Sequence, residues 1–202
     1  SLDSRFRGND GGNRGNGGVI APTELELDIT DLGAVKGYVG REKPDVIINC
    51  AAYTAVDKAE SDREKAFAVN RDGPENLAVA AAEVGARLIH ISTDFVFDGN
   101  FCRALKPDDR PNPLSVYGSS KLAGEQKVLA ALPAALVIRT AWLYSSFGNN
   151  FVKTMLRLMN ERDGLGVVVD QIGTPTWAGS LAEVIVKATS AEARGVLHWS
   201  DA

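Results

Sequence analysis

Six short apolar runs, separated by segments of helical length, set the strongest limit on what this chain can fold into. The runs cover residues 19–21, 45–52, 87–93, 134–144, 165–170 and 195–200. The helix candidates cover residues 31–42, 61–84, 115–131, 150–161 and 178–191. Runs that are apolar almost throughout are typical of parallel strands, because such strands are buried on both faces. The alternation predicts an α/β fold with a Rossmann-like, doubly wound parallel sheet.

Charge and cysteine content exclude several classes of function. With 22 Lys and Arg against 26 Asp and Glu, the net charge is −4, which gives no reason to expect a nucleic-acid partner. Cys50 and Cys102 are the only cysteines and form no Cys/His cluster, so we expect neither a disulfide framework nor a metal site. No apolar run approaches the roughly 18 residues that a membrane span needs. We therefore expect a cytoplasmic protein with no membrane partner.

The carboxyl ends of the predicted strands are the expected place for a ligand. In doubly wound folds, ligands bind beyond that edge of the sheet. Three runs end there in small or polar residues, at 49–54, 91–99 and 139–151. Such residues let a ligand approach the backbone, although they are also common wherever a strand meets a loop. The pattern marks the region to search and does not by itself identify a site.

Tyr117 and Lys121 form the pair with the clearest chemistry. At positions i and i+4 of a helix, the two side chains lie on one face. A phenol with a pKa near 10 is a poor acid–base group at neutral pH, and a nearby ammonium is expected to lower that pKa. Thr93 ends the third apolar run, where its hydroxyl can orient a substrate carbonyl. The three residues suit proton transfer to a carbonyl while a nicotinamide delivers hydride.

Several motifs together resemble a known family. They are NCAAYTAVDKAE (49–60), ISTDFVFDG (91–99), PLSVYGSSKLAGE (113–125), RTAWLY (139–144), GNNFVKTMLRL (148–158) and DQIGTPT (170–176). In combination they resemble the extended short-chain dehydrogenase/reductases, and within them the dTDP-4-dehydrorhamnose reductases. The resemblance covers about nine-tenths of the chain. It implies reduction of the nucleotide-sugar dTDP-4-dehydro-L-rhamnose to dTDP-L-rhamnose with NADPH or NADH, and it leaves a homodimer open.

The resemblance also implies roles for individual residues. The catalytic residues would be Thr93, Tyr117 and Lys121. The cofactor-binding residues would be Asp28, Ile29, Ala51, Ala52, Tyr53, Tyr117 and Lys121. The substrate-binding residues would be Thr93, Asp94, Trp142, Asn149 and Asn150. Two assignments stay open: Asp94 either caps the following loop or contacts substrate, and Asn70 either supports the site or lies on a helix surface.

Other functions of the same fold are weighed on single residues. Nucleotide-sugar dehydratases carry Thr-Asp-Glu where this chain has Thr93, Asp94 and Phe95, so elimination of water would lack its usual base. Epimerases usually have small residues after the catalytic hydroxyl, and here a bulky sequence follows. The alternatives are another nucleotide-sugar reductase of this family or a non-catalytic nucleotide-binding protein, such as the regulatory subunit of methionine adenosyltransferase. The retained triad favours the reductase.

The phosphate-binding loop of the family has no clear counterpart. Gly12, Gly15 and Gly18 have a suitable spacing, but no apolar strand precedes them and no helix follows them directly. A dinucleotide fingerprint needs both, so that the pyrophosphate meets a helix N-terminus. Since the first strand of such a sheet is central, its loss is expected to leave a gap or a rearranged sheet. The sequence also ends at HWSDA, where family members continue, and we expect a truncated chain with impaired turnover.

Three regions follow from this interpretation. Residues 1–17 are predicted to be a disordered Gly- and Asn-rich tail. Residues 18–145 are predicted to form a partial NAD(P)-binding domain that carries the catalytic residues. Residues 146–202 are predicted to hold substrate-binding segments, then a returning helix and strand.

Overall fold

A parallel sheet of four strands forms the centre of the molecule. The computed structural model describes residues 18–100 and 103–201, so the predicted tail, Gly12, Gly15 and Cys102 lie outside the described residues. The strands are β1 (Val46–Asn49), β2 (Arg87–Thr93), β3 (Leu136–Thr140) and β6 (Gly195–His198), in that order across the sheet. A separate parallel pair joins β4 (Leu143–Tyr144) to β5 (Thr176–Trp177). The four strands of the main sheet are all parallel, as predicted.

The predicted helices are present, with one change. They are α1 (Leu32–Glu42), α5 (Val116–Ala131), α6 (Phe151–Glu161) and α7 (Ala178–Ser190). The fifth candidate, 61–84, is divided into α3 (Arg63–Phe67), a π-helical turn at Ala68–Asp72 and α4 (Gly73–Val84), and a short helix α2 (Val56–Ala59) precedes it. Capping side chains explain where two of these helices begin. Asp31 accepts a hydrogen bond from the Ala34 amide, and Ser115 accepts one from the Gly118 amide.

Two predicted strands, 19–21 and 165–170, do not form. Val19 is 87% exposed and is followed closely by Pro22, which cannot donate a backbone hydrogen bond. Val169 in the second segment is 93% exposed. Neither segment pairs with another described strand. An apolar run becomes a strand only when a neighbouring strand completes its hydrogen bonds, and the sequence pattern does not report on that neighbour.

Helices cover both faces of the sheet. On one face α1, α4 and α5 pack against Leu88 and Val137, and on the other α7 packs against Ile89, Leu136 and Ile138. Adjacent residues of β2 therefore serve opposite cores, which confirms the two-sided burial predicted for a Rossmann-like sheet. No helix in the described ranges is both long and apolar enough to span a bilayer.

The expected gap in the sheet is not seen in the described residues. The four strands pair continuously, and β1 lies at one edge, where Ile48 is 46% exposed. The returning helix and strand predicted near the end of the sequence are α7 and β6, and β6 pairs with β3. Since all four strands run the same way, the loops after β1, β2 and β3 lie along one edge of the sheet, called here the carboxyl edge.

Candidate active site

Thr93 ends β2 at the carboxyl edge and begins a short 3-10 helix, Asp94–Val96. Its side chain is 6% exposed, and its hydroxyl accepts a hydrogen bond from the Phe95 amide at 3.2 Å. The same hydroxyl donates to Asp94 Oδ1 at 3.1 Å. Thr93 is therefore held in one orientation by the turn that follows it.

Tyr117 lies in the first turn of α5, above the end of β2. The ring of Phe95 meets the Tyr117 ring edge-on, with centroids 5.5 Å apart. Gly118 allows this close approach, because a Cβ there would overlap the Phe95 carbonyl oxygen. The sequence predicts Tyr117 next to Thr93, and the Thr93 side chain is close enough to influence the pKa of the phenol.

Lys121 is buried one helical turn further on, with 2% of its surface exposed. Its ammonium donates to the Ile91 carbonyl oxygen at 2.7 Å. Burial lowers the pKa of Lys121 to about 8, against smaller opposing effects of Glu125 and Cys50. An ammonium has three donors, so the group can serve further acceptors besides Ile91.

The expectation that Lys121 lowers the pKa of Tyr117 is wrong in this structure. Burial raises the pKa of Tyr117, the neighbouring Thr93 hydroxyl lowers it, and the Asp94 carboxylate raises it. The Lys121 ammonium is turned to the backbone of β2 instead. The i, i+4 spacing predicted a shared face correctly, but burial and the nearby carboxylate decide the direction of the shift.

The surroundings of Asp94 bear on the two roles left open for it, a cap of the following loop and a contact with substrate. Burial raises its pKa, while hydrogen bonds from Thr93 and from the backbone amides of Asp94 and Phe95 lower it. The side chain that caps the following turn is that of Thr93, since its hydroxyl accepts from the Phe95 amide. The substrate role of Asp94 stays a prediction.

Ala51, Ala52 and Tyr53 form the loop that leaves β1 at the carboxyl edge. The buried Asn70 holds this loop from the π-helical turn: its amide oxygen accepts from the Tyr53 amide at 2.8 Å, and its nitrogen donates to the Tyr53 carbonyl at 3.0 Å. The same nitrogen donates to Ser120 Oγ in α5 at 2.9 Å. Asn70 is thus a supporting residue, which decides between its two open interpretations.

Asp28 and Ile29 precede α1. Asp28 accepts from the amide and hydroxyl of Thr30 at 2.9 and 2.7 Å, and these bonds hold the pKa of its carboxyl below the usual value. The Ile29 side chain packs against Gly73 at the start of α4, where a Cβ would lie 2.5 Å from Ile29 Cδ1. Ile29 therefore has a packing role, and its cofactor role stays a prediction.

The three predicted substrate residues beyond β3 lie in a more open region. Trp142 is 39% exposed, has a left-handed backbone (φ 46°), and meets Phe151 edge-on at 5.9 Å. Asn150 caps α6 by accepting from the Lys153 amide at 3.0 Å, and Asn149 is exposed. The Asn150 side chain is thus occupied by the helix cap, whereas the Asn149 side chain is exposed and free to contact a ligand. Their substrate roles remain predictions.

Sequence reasoning missed a buried polar network behind Lys121. Glu125 binds Arg139 with Nη2–Oε2 at 2.6 Å and accepts from Ser92 Oγ at 2.5 Å. The signals were a Glu one turn after Lys121 and an Arg inside an otherwise apolar strand. His90 has no exposed surface, and Asn49 bonds it across the sheet at 3.1 Å.

Comparison with known proteins finds relatives of this chain. A curated dTDP-4-dehydrorhamnose reductase of Mycobacterium tuberculosis (strain CDC 1551 / Oshkosh) is 50% identical over 186 residues, covering 89% of this chain and 60% of that protein. One of Sinorhizobium fredii (strain NBRC 101917 / NGR234) is 47% identical over 181 residues, covering 86% and 61%. The chain thus spans about three-fifths of the length of these relatives.

A solved structure gives the same result for the fold. The dTDP-4-dehydrorhamnose reductase of Bacillus anthracis str. Ames, in complex with NADP, superposes with a TM-score of 0.89 at 44% identity, covering 92% of this chain and 66% of that one. The family model described as the RmlD substrate binding domain matches residues 11–202. The chain belongs to the RmlD substrate binding domain family.

Proposed function

We propose that this chain carries the acid–base site of an NADPH- or NADH-dependent reductase acting on dTDP-4-dehydro-L-rhamnose. The observation that carries the proposal is the meeting of Thr93, Tyr117 and Lys121 beside the loop 51–53 at the carboxyl edge. The names of the relatives and the NADP complex of the Bacillus anthracis enzyme support the substrate and the cofactor.

The proton at Tyr117 Oη moves to the ketone oxygen of the substrate in this proposal. Because burial and Asp94 raise the pKa of Tyr117, the phenol stays protonated at neutral pH, which suits reduction. The Thr93 hydroxyl orients the same oxygen once its proton turns from Asp94 to the substrate. Lys121 supplies a buried positive charge and its remaining donors to the ribose beside the nicotinamide. When bound, the reduced nicotinamide supplies the hydride that the substrate carbon accepts.

The described residues fit one end of a dinucleotide better than the other. The buried ammonium of Lys121 and the small side chains of Ala51 and Ala52 suit the nicotinamide end. Between Gly18 and α1, the described residues show no strand followed by a glycine turn and a helix, which is the arrangement that binds a pyrophosphate.

The residues after β3 are proposed to form the substrate-binding part of the site. Trp142, Asn149 and Asn150 are proposed to face the nucleotide-sugar, with Asp94 at the ketone end. Phe95 stands beside Tyr117, where a dehydratase would need a base, so the site favours simple reduction. A purely nucleotide-binding protein would not need Thr93 and Tyr117 beside each other.

The proposal also covers the cellular compartment and the oligomeric state of the protein. A free, exposed thiol at Cys50 suits the reducing cytoplasm. We also propose a homodimer, and native mass spectrometry can test for it.

The experiment is a substrate-dependent assay of NADPH and NADH oxidation. We expect oxidation with dTDP-4-dehydro-L-rhamnose and none with dTDP-glucose, which has no ketone. A parallel titration of nicotinamide fluorescence measures the cofactor Kd. Cofactor binding without any substrate-dependent oxidation would favour the non-catalytic alternative.

A further inference from the structure

The loop after β1 is held at both ends by buried asparagines. Asn70 binds the amide and the carbonyl of Tyr53. At the other end, Asn49 Oδ1 accepts the Ala51 amide at 3.0 Å. Asn49 is 3% exposed and is the register partner of His90 in the neighbouring strand. The short segment between the clamps carries Ala51 and Ala52.

Hydrogen-bond chemistry determines how Asn49 and His90 are arranged. Because the Ala51 amide is a donor, the Asn49 atom facing it must be the oxygen. The Asn49 nitrogen then faces His90 Nδ1 at 3.1 Å and must donate to it. His90 is consequently neutral, with its proton on Nε2. Burial lowers the pKa of His90 well below its ordinary value, and the Lys121 charge acts in the same direction.

The ring of His90 therefore acts as a buried acceptor that fixes the Asn49 amide. His90 Nε2 is also buried and has no partner among residues 18–100 and 103–201. A neutral ring lets Lys121 keep its charge nearby. Had the ring been charged, both nitrogens would donate, and the Asn49 nitrogen would face a donor.

We propose that Asn49 and His90 are positioning residues that set the shape of the cofactor-facing loop through the Ala51 amide. The inference rests on the proposed function for the identity of the ligand. A loop that is already in its binding conformation loses less conformational entropy when a ligand binds. The pair acts through backbone geometry, since neither side chain lies at the surface.

The test compares Asn49→Ala, His90→Leu and His90→Asn with the unmodified chain. His90→Asn places an amide oxygen near the position of Nδ1 and keeps the acceptor, whereas His90→Leu removes it. We expect Asn49→Ala to weaken NADPH binding about tenfold, with the KM for NADPH rising and kcat unchanged. His90→Leu should also weaken NADPH binding, but by less than Asn49→Ala. His90→Asn should bind NADPH about as tightly as the unmodified chain. Asn112→Ala, which removes an exposed hydrogen bond to Asp98, is the matched control.

Amide hydrogen exchange of Ala51 and the nitrogen chemical shifts of His90 give readouts that need no cofactor. The unmodified chain should show slow exchange at Ala51 and the Nε2–H tautomer of His90, and Asn49→Ala should speed the exchange. Folded variants that bind NADPH as tightly as the unmodified chain would overturn the inference. If the unmodified chain binds no cofactor, the proposed function is wrong. If the Ala51 amide of the unmodified chain exchanges rapidly, Asn49 does not hold that amide and the inference is wrong.

Discussion

The helices α5 and α6 both follow strand ends, yet the rest of the chain packs against them very differently. Seven residues of α5 are buried, among them Lys121 and Glu125. Within the described part of the chain, α6 has no buried residue, and Met159 is 67% exposed. The proposed acid–base groups thus lie where strands, helices and polar partners restrain them, whereas the proposed substrate residues lie beside an exposed amphipathic helix. The contrast implies that substitutions around α5 affect both folding and chemistry, while those on α6 affect folding little.

The largest expected effect comes from breaking the ion pair beneath α5. Glu125→Ala leaves the Arg139 guanidinium buried without its carboxylate, and we expect a loss of about 3–5 kcal/mol in the free energy of unfolding. Urea denaturation measures it. The matched control is Glu161→Ala, which removes the exposed i, i+4 pair with Arg157 on α6 and should cost less than about 0.5 kcal/mol. Equal losses in the two variants would contradict the contrast between the helices.

The second effect concerns the buried charge of Lys121. Its pKa falls from 10.5 to about 8 on folding, so between those pH values the unfolded chain binds more protons than the folded one. Stability should therefore rise with pH across this window, by an amount on the order of 3 kcal/mol. Lys121→Met should abolish that rise while removing turnover. Stability curves against pH for both proteins check the sign, and a fall over the same window in the unmodified chain would refute it.

The third effect tests how closely α5 approaches its neighbours. A Cβ at position 124 would overlap the Asn70 carbonyl oxygen, so Gly124→Ala should cost about 1–3 kcal/mol despite alanine's better helix propensity. Gly37→Ala, in α1, meets open space and should stabilise the protein by up to about 1 kcal/mol. Thermal unfolding of the two variants should move in opposite directions. A stabilised Gly124→Ala would mean that α5 is free to shift.

Sequence patterns predicted the parts of the molecule that depend on local periodicity. The helices at α1, α5, α6 and α7 were placed within about one residue, and Thr93 was placed at the end of its strand. The segments 19–21 and 165–170 were misassigned, because a strand needs a partner that the local pattern does not show. Non-local contacts were also out of reach: the pairing of Asn49 with His90 depends on strand register.

The same limit applies to the chemistry of the site. The spacing of Tyr117 and Lys121 predicted their shared helix face correctly. It gave the wrong direction for the pKa of Tyr117, because burial and the Asp94 carboxylate depend on how β2 and α5 pack together. Residue types and spacing predict which groups meet, and their protonation follows from the packing around them.

Tyr117, restrained by α5, is proposed to donate the proton in ketone reduction. The most direct measurement is the kcat for NADPH oxidation with dTDP-4-dehydro-L-rhamnose in the unmodified chain, in Tyr117→Phe and in Tyr38→Phe, which changes a tyrosine of α1. We expect Tyr117→Phe to lower kcat at least about 100-fold and Tyr38→Phe to leave kcat largely unchanged. A Tyr117→Phe variant that turns over at the rate of the unmodified chain would contradict the account.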